Sequence, residues 1–302
     1  MELVHVVTED GIRLHGAFEI PPEEPTEPTE PEAPGRNIDV FLCIHGSGGN
    51  FYSSPPFTQL VPRFLTAGYK VLRVNTRGHD VVSSVSTVQG RRLGTAYERV
   101  EESGRDLAAW LEFLHARGLK RVAIVGHSLG AVKSLYWTAQ CLPDVSALIC
   151  LSPPRLSYSF LSQGKDGERL AETVALAQAE AQKHGPDHLI EVDFPFRYLT
   201  SVGSYLEKYG PDERCDILRQ LPAVPCPMLL IFGTMELRDH PAFHHILDQI
   251  GALKLRATVE CQTVPGANHL YGGKCGQLQE IIQNWLLRLP GEIEPGSNHT
   301  LS

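Results

Sequence analysis

The chain has 302 residues, 42% hydrophobic content and a formal net charge of -8, enough apolar material for one large α/β domain with an insertion. An acidic balance with no stripe of Lys and Arg excludes nucleic acid or an anionic membrane surface as the main partner. No uncharged run reaches the roughly 18 residues of a membrane span.

The opening residues, MELVHVVTEDG, lack a basic stretch followed by an apolar one, so no signal peptide is expected. Seven cysteines without CxxC spacing read as buried free thiols of a reducing compartment, and a cytoplasmic protein is the simplest expectation.

In chain order, LVHVVTED and IRLHGAFEI flank Asp10-Gly11, a dipeptide of tight hairpin turns, and predict an antiparallel pair. Residues 21–35 are rich in Pro and Glu and read as a flexible, solvated loop between strands. Five apolar runs follow, at 39–46, 69–78, 120–128, 146–154 and 227–234. Being apolar on both faces, they suit strands of a helix-covered parallel sheet.

Helical patterns fall between them: FTQLVPRFLTAG, Ala96 to Gly118, GAVKSLYWTAQCL and PAFHHILDQIG. This alternation predicts an α/β fold with a mostly parallel, doubly wound sheet entered by an antiparallel N-terminal hairpin. It breaks at 157–223, an inserted stretch too long for a crossover and too helical for a loop, which reads as a helical cap. The expected organisation is a core of 1–156 and 224–290, the cap between, and a flexible tail at 291–302.

The chemistry concentrates at strand ends. GHSLG, 126–130, places Ser128 between two glycines at a strand-to-helix junction, where a sharp turn exposes the hydroxyl. The following helix aims its N-H groups and dipole at the serine oxygen. CIHGSGGN, 43–50, ends the first long strand in a turn whose Ser47 amide, with that of Leu129, can hold an oxyanion.

FGTMELRD, 232–239, offers two acids for orienting a histidine. Glu236 is nearer the strand end, whereas Asp239 precedes His240-Pro241 and suits a helix N-cap. His269, in VPGANHLYGG, stands after the last strand and before the last helix, where a base completes the order Ser128, Glu236, His269. His127 reads as packing in the elbow. Adjacent histidines in HPAFHH, 240–245, cannot both face one ion from one helix face, so no metal site is expected there. The aromatic run FPFRYLTSVGSYLEKYG either lines an acyl pocket or closes the cap onto the core.

Through HGSGG (45–49), NTRGHD (75–80), GHSLG (126–130), FGTME (232–236) and PGANH (265–269), the chain resembles the α/β-hydrolase superfamily over about residues 37–290 less the cap. The resemblance implies the α/β-hydrolase fold, Ser128 as nucleophile, His269 as base, and Ser47 with Leu129 as oxyanion hole. It departs from the family at Glu236, where many members have Asp. A serine nucleophile separates it from the dehalogenase and epoxide-hydrolase branches, which use aspartate.

The leading expectation is a serine hydrolase that cleaves a carboxylic ester or thioester through an acyl-enzyme, with a small-molecule acyl substrate and no metal or organic cofactor. Alternatives are an amidase, peptidase or acyltransferase on the same triad, or a non-catalytic ligand receptor built on the fold.

Overall fold

The computed structural model describes residues 1–22, 37–84 and 90–289. The expected loop at 21–35, beyond its first two residues, and the tail at 291–302 lie outside the described residues.

The hairpin forms β1 (Glu2–Val7) and β2 (Arg13–Glu19), paired antiparallel with Val7 opposite Arg13. Gly11 between them has φ 82, a left-handed conformation that glycine adopts without strain. The next elements are β3 (Val40–Ile44), α1 (Phe57–Thr66) and β4 (Lys70–Val74). A two-residue ribbon, β5 (Ser83–Ser84) and β6 (Arg92–Leu93), precedes α2 (Ser103–Ala116). The chain continues through β7 (Val122–His127), α3 (Leu129–Cys141) and β8 (Ala147–Leu151).

An inserted segment follows: α4 (Tyr158–Leu161), α5 (Gly167–His184), β9 (Leu189–Val192), β10 (Tyr198–Ser201), α6 (Val202–Tyr209) and α7 (Ile217–Gln220). The fold closes with β11 (Met228–Gly233), α8 (Thr234–Asp239), α9 (Ile246–Gly251), β12 (Val259–Val264) and α10 (Cys275–Leu286).

Eight strands make one sheet in the order β1-β2-β4-β3-β7-β8-β11-β12. Every pair from β4 to β12 is parallel, and β2 runs antiparallel to both its neighbours. The inner strands β3, β7, β8 and β11 are buried along their whole length because both faces are covered. Val40, Leu42 and Ile44 of β3 face α2, α3 and the insertion, while Phe41 and Cys43 face α1 and α10.

Three elements differ from expectation. The helix predicted over Ala96 to Gly118 begins only at Ser103. Glu207 of α6 accepts hydrogen bonds from the Val100 and Glu101 amides at 2.6 and 2.9 Å, so a tertiary carboxylate takes donors that an earlier helical turn would carry.

PAFHHILDQIG is not one helix. Pro241–Phe243 is a 3-10 turn and His245 has φ 58, so α9 starts at Ile246. The insertion is not all helical: β9 and β10 form an antiparallel hairpin, with Ile190 and Val192 buried and Glu191 exposed, a period of two.

All seven cysteines are free; five are buried, Cys261 is half-buried, and Cys141 is exposed rather than buried as predicted. Among the described residues, no helix is long and apolar enough to cross a membrane.

Candidate active site

Ser128 sits alone between the last residue of β7 and the first of α3 with φ 55 and ψ -122, a region that costs a non-glycine residue about 1–3 kcal/mol. Its amide is tied to Leu151 O of the neighbouring strand at 2.8 Å. The flanking glycines answer to crowding. A Cβ at Gly126 would stand 2.6 Å from Ala131 Cα, and one at Gly130 would run into the Ile44 and His45 carbonyl oxygens. The first turn of α3 therefore presses directly on the strand ends, as the sequence spacing anticipates.

His269 Nε2 lies 2.9 Å from Ser128 Oγ, and its Nδ1 lies 2.7 Å from Glu236 Oε2. A carboxylate on Nδ1 fixes the proton there and leaves Nε2 as the acceptor for the serine hydroxyl. Glu236 is buried, in the first turn of α8. Its other oxygen, Oε1, accepts from the Gly233 amide at 2.7 Å and the Ser152 hydroxyl at 2.5 Å. Ser152 also contacts Tyr271 Oη at 2.8 Å, and Tyr271 donates to Ile231 O at 2.7 Å.

Of the two candidate acids, only Glu236 reaches the histidine. Asp239 ends α8 on the surface, bonded through both oxygens to Arg238. The N-cap expected of Asp239 is supplied by His240, whose Nδ1 accepts from the Ala242 amide at 3.2 Å, because the chain is already helical at Asp239 and leaves the helix one residue later.

His127 does not face the serine. Its Nε2 donates to the His269 carbonyl at 2.8 Å; burial, followed by the neighbouring His269, pulls its pKa down to about 3.

The turn 45–50 runs against the elbow, and a Cβ at Gly46 would stand 3.0 Å from Ser128 Cβ. Among the described residues the Ser47 amide makes no intramolecular hydrogen bond, and Leu129, as first residue of α3, has no partner within the helix. His45 anchors the turn: Nδ1 donates to Gly46 O at 2.8 Å and Nε2 accepts from the Thr76 amide at 3.1 Å. Burial lowers its pKa to about 3, so it stays neutral. The NTRGHD turn fastens the outer side, since Asn75 accepts from the Phe51 amide and Asp80 from Asn50.

Beneath lies a charged group that the sequence did not announce. Lys133 of α3 is fully buried and donates to Thr76 Oγ1 at 2.9 Å and Glu98 Oε1 at 2.7 Å. Burial opposes ionisation of Glu98, yet Lys133 and then Lys208 outweigh it and hold its carboxyl below the usual range. The available signal was a lysine in a helix otherwise built of small and apolar residues after the serine. Ser152 and Tyr271 gave none, because their role depends on two loops meeting.

A cleft of about 850 Å³ opens over Ser128. Its core side is the 46–49 turn with Phe243 and Leu270; its far side is Leu156, Leu161, Phe194, Phe196, Tyr198 and Leu199. The aromatic run thus divides: Phe194, Phe196 and Tyr198 line the cleft, whereas Tyr205 is fully buried in the core. Lys208 also lines the cleft. Burial draws its pKa down against the pull of Glu98 and Glu207.

A parallel α/β sheet with a strained serine after its central strand, and a histidine and carboxylate returning from later strand ends, defines the class. The chain belongs to the alpha/beta hydrolase family, whose model matches residues 41–274.

Solved structures agree in fold. Est1E from Butyrivibrio proteoclasticus with bound ferulic acid is 16% identical with TM-score 0.62, covering 95% of this chain and 99% of its own. The alpha/beta hydrolase GrgF from Penicillium sp. sh18 is 16% identical with TM-score 0.65, covering 95% and 98%. The monoacylglycerol lipase of Paleococcus ferrophilus is 16% identical with TM-score 0.60, covering 92% and 99%. No curated protein sequence matches the chain.

Proposed function

We propose that the protein is a serine hydrolase of carboxylic esters or thioesters, acting through an acyl-enzyme on Ser128, His269 and Glu236. The observation that carries this reading is the unbroken run Ser128 Oγ, His269 Nε2, His269 Nδ1, Glu236 Oε2 at 2.9 and 2.7 Å. Its carboxylate is held on the far side by Gly233 and Ser152.

In this reading Ser128 attacks the acyl carbonyl while His269 Nε2 takes its proton, and the resulting imidazolium is stabilised by buried Glu236. Charge developing on the carbonyl oxygen meets the Ser47 and Leu129 amides. His269 then returns the proton to the leaving alcohol or thiol, and water attacks the acyl-enzyme by the same route in reverse. The insertion, 157–223, serves as a cap whose apolar wall accepts the acyl chain. The monoacylglycerol lipase among the similar structures accords with a small ester substrate.

The test is turnover on p-nitrophenyl esters, acyl thioesters and anilides, with fluorophosphonate labelling of wild type and Ser128→Ala. Stoichiometric labelling at Ser128 with ester or thioester turnover supports the reading. Labelling with turnover of anilides alone makes the protein an amidase. Absence of both labelling and turnover makes it a ligand receptor.

A further inference from the structure

The end of α5 carries a second cluster, in the pattern E-x3-H-x3-H: Glu180, His184 and His188. Glu180 and His184 lie one turn apart on the same helix face. The helix stops at Gly185, where φ is 85, and the Gly185-Pro186-Asp187 turn brings His188 back over the same point. His184 Nε2 and His188 Nε2 each lie 3.5 Å from the same oxygen, Glu180 Oε2. The two rings stand 4.5 Å apart, inclined by 30°. Lys183 occupies the other oxygen, Oε1, at 3.2 Å, so Oε2 is the one left to the histidines.

Two imidazole nitrogens converging on one carboxylate oxygen at 3.5 Å are too far for good hydrogen bonds. They are, however, at a coordination spacing. Zinc takes nitrogen and oxygen ligands at about 2.0–2.2 Å, and a tetrahedral angle then sets ligand atoms about 3.3–3.6 Å apart. The three ligand atoms all lie within 4.8 Å of one another, so drawing the histidines together needs only side-chain rotation.

We propose that Glu180, His184 and His188 form a binding site for a divalent transition-metal ion, Zn²⁺ foremost. Two imidazoles and one carboxylate suit zinc and its neighbours over the oxygen-seeking Mg²⁺ and Ca²⁺. His184 and His188 keep 52% and 37% of their side-chain surface, which leaves the fourth position to water.

None of the three residues lines the cleft over Ser128, so the ion acts as a clasp. It joins the end of α5 to the residues entering β9. The turn itself carries the His188 amide on Gly185 O at 3.3 Å, and it is tied to the start of α6 by the Val202 amide on His188 O and the Gly203 amide on Pro186 O, at 2.9 Å each. The hairpin beyond it leads to Phe194 and Phe196 of the cleft wall.

The experiment uses the full chain without a polyhistidine tag, stripped with chelator and titrated with Zn²⁺ by calorimetry and thermal melting. Wild type is expected to bind one ion that His184→Gln and His188→Gln do not, and Glu180→Gln at least about tenfold more weakly. Zn²⁺ should raise the melting temperature of wild type and leave the two histidine variants unmoved. Co²⁺ should give the intense visible bands of a tetrahedral site only in wild type. Because the side chains are partly exposed, the metal-free melts should coincide, which separates lost binding from lost folding. Equal Zn²⁺ binding by wild type and the histidine variants, or none by wild type, overturns the proposal.

Discussion

Changing Glu236 to glutamine probes the site sharply, because its surroundings dictate how the amide must turn. The Oε1 position faces two donors, the Gly233 N-H and the Ser152 O-H. Ser152 can rotate; the backbone N-H cannot. Turning the amide NH₂ toward Gly233 leaves a buried donor unmatched at a cost of about 1–3 kcal/mol, a population factor of about 5–150.

The carbonyl therefore stays on Gly233, and the NH₂ points at His269 Nδ1. That nitrogen must then accept, the proton moves to Nε2, and the histidine presents N-H to Ser128 where a lone pair is required. The stabilising negative charge is lost as well.

The expected fall in kcat is about 10⁴-fold, the scale on which triads fail when their carboxylate becomes an amide. The assay is kcat on a p-nitrophenyl ester with a melting curve alongside. Asp239→Asn, whose carboxylate bonds Arg238 on the surface, should change kcat by less than about twofold. A Glu236→Gln enzyme keeping more than about a tenth of wild-type kcat, or a crippled Asp239→Asn, refutes the reasoning.

Ser128→Ala should abolish turnover and labelling, and Ser128→Gly should do the same while melting higher than Ser128→Ala by about 1 kcal/mol of stability, because glycine tolerates φ 55; equal melts would remove strain from the account. Lys133→Met should cost about 3–5 kcal/mol by stranding buried Glu98, and adding Glu98→Gln should recover part of that in denaturant titration. The buried, neutral His45 and His127 have pKa values near 3 against 6.5 unfolded. The unfolded chain thus binds more protons below about pH 6.5, and stability is lost as pH falls from there towards 3, by up to about 1.4 kcal/mol per pH unit for each histidine. His127→Gln should remove one such contribution, and an unchanged slope between pH 6 and 5 would contradict it.

Much of the frame was legible because parallel strands covered on both sides leave uninterrupted apolar runs, and a serine elbow needs glycines at two fixed positions. Choosing Glu236 over Asp239 from its nearness to the strand end led to the residue that reaches His269. Legibility failed where long-range contacts decide local form. Nothing in YERVEESG tells that Glu207, over a hundred residues later, will take the Val100 and Glu101 amides and delay α2. A four-residue strand such as β9 is too short for its period of two to outweigh the helical residues before it. Burial of Lys133 and Glu98 is a property of their pairing, not of either residue's neighbours in the chain.

The insertion leaves the sheet after β8 and returns at β11, and these two strands are hydrogen-bonded neighbours, with Leu151 opposite Ile231. Its two ends are further joined by Ser152 N on Ile231 O and Leu148 N on Pro227 O. The pairing of β8 with β11 thus spans the 67 residues of 157–223. In the proposed reading, the reactive groups stand at strand ends while most of the far wall of the cleft, Leu161, Phe194, Phe196, Tyr198 and Leu199, comes from the insertion. In that reading, an exchanged insert would alter what the cleft admits while leaving the serine, histidine and carboxylate in place only if it keeps the α6 contacts to Glu98, Val100 and Glu101.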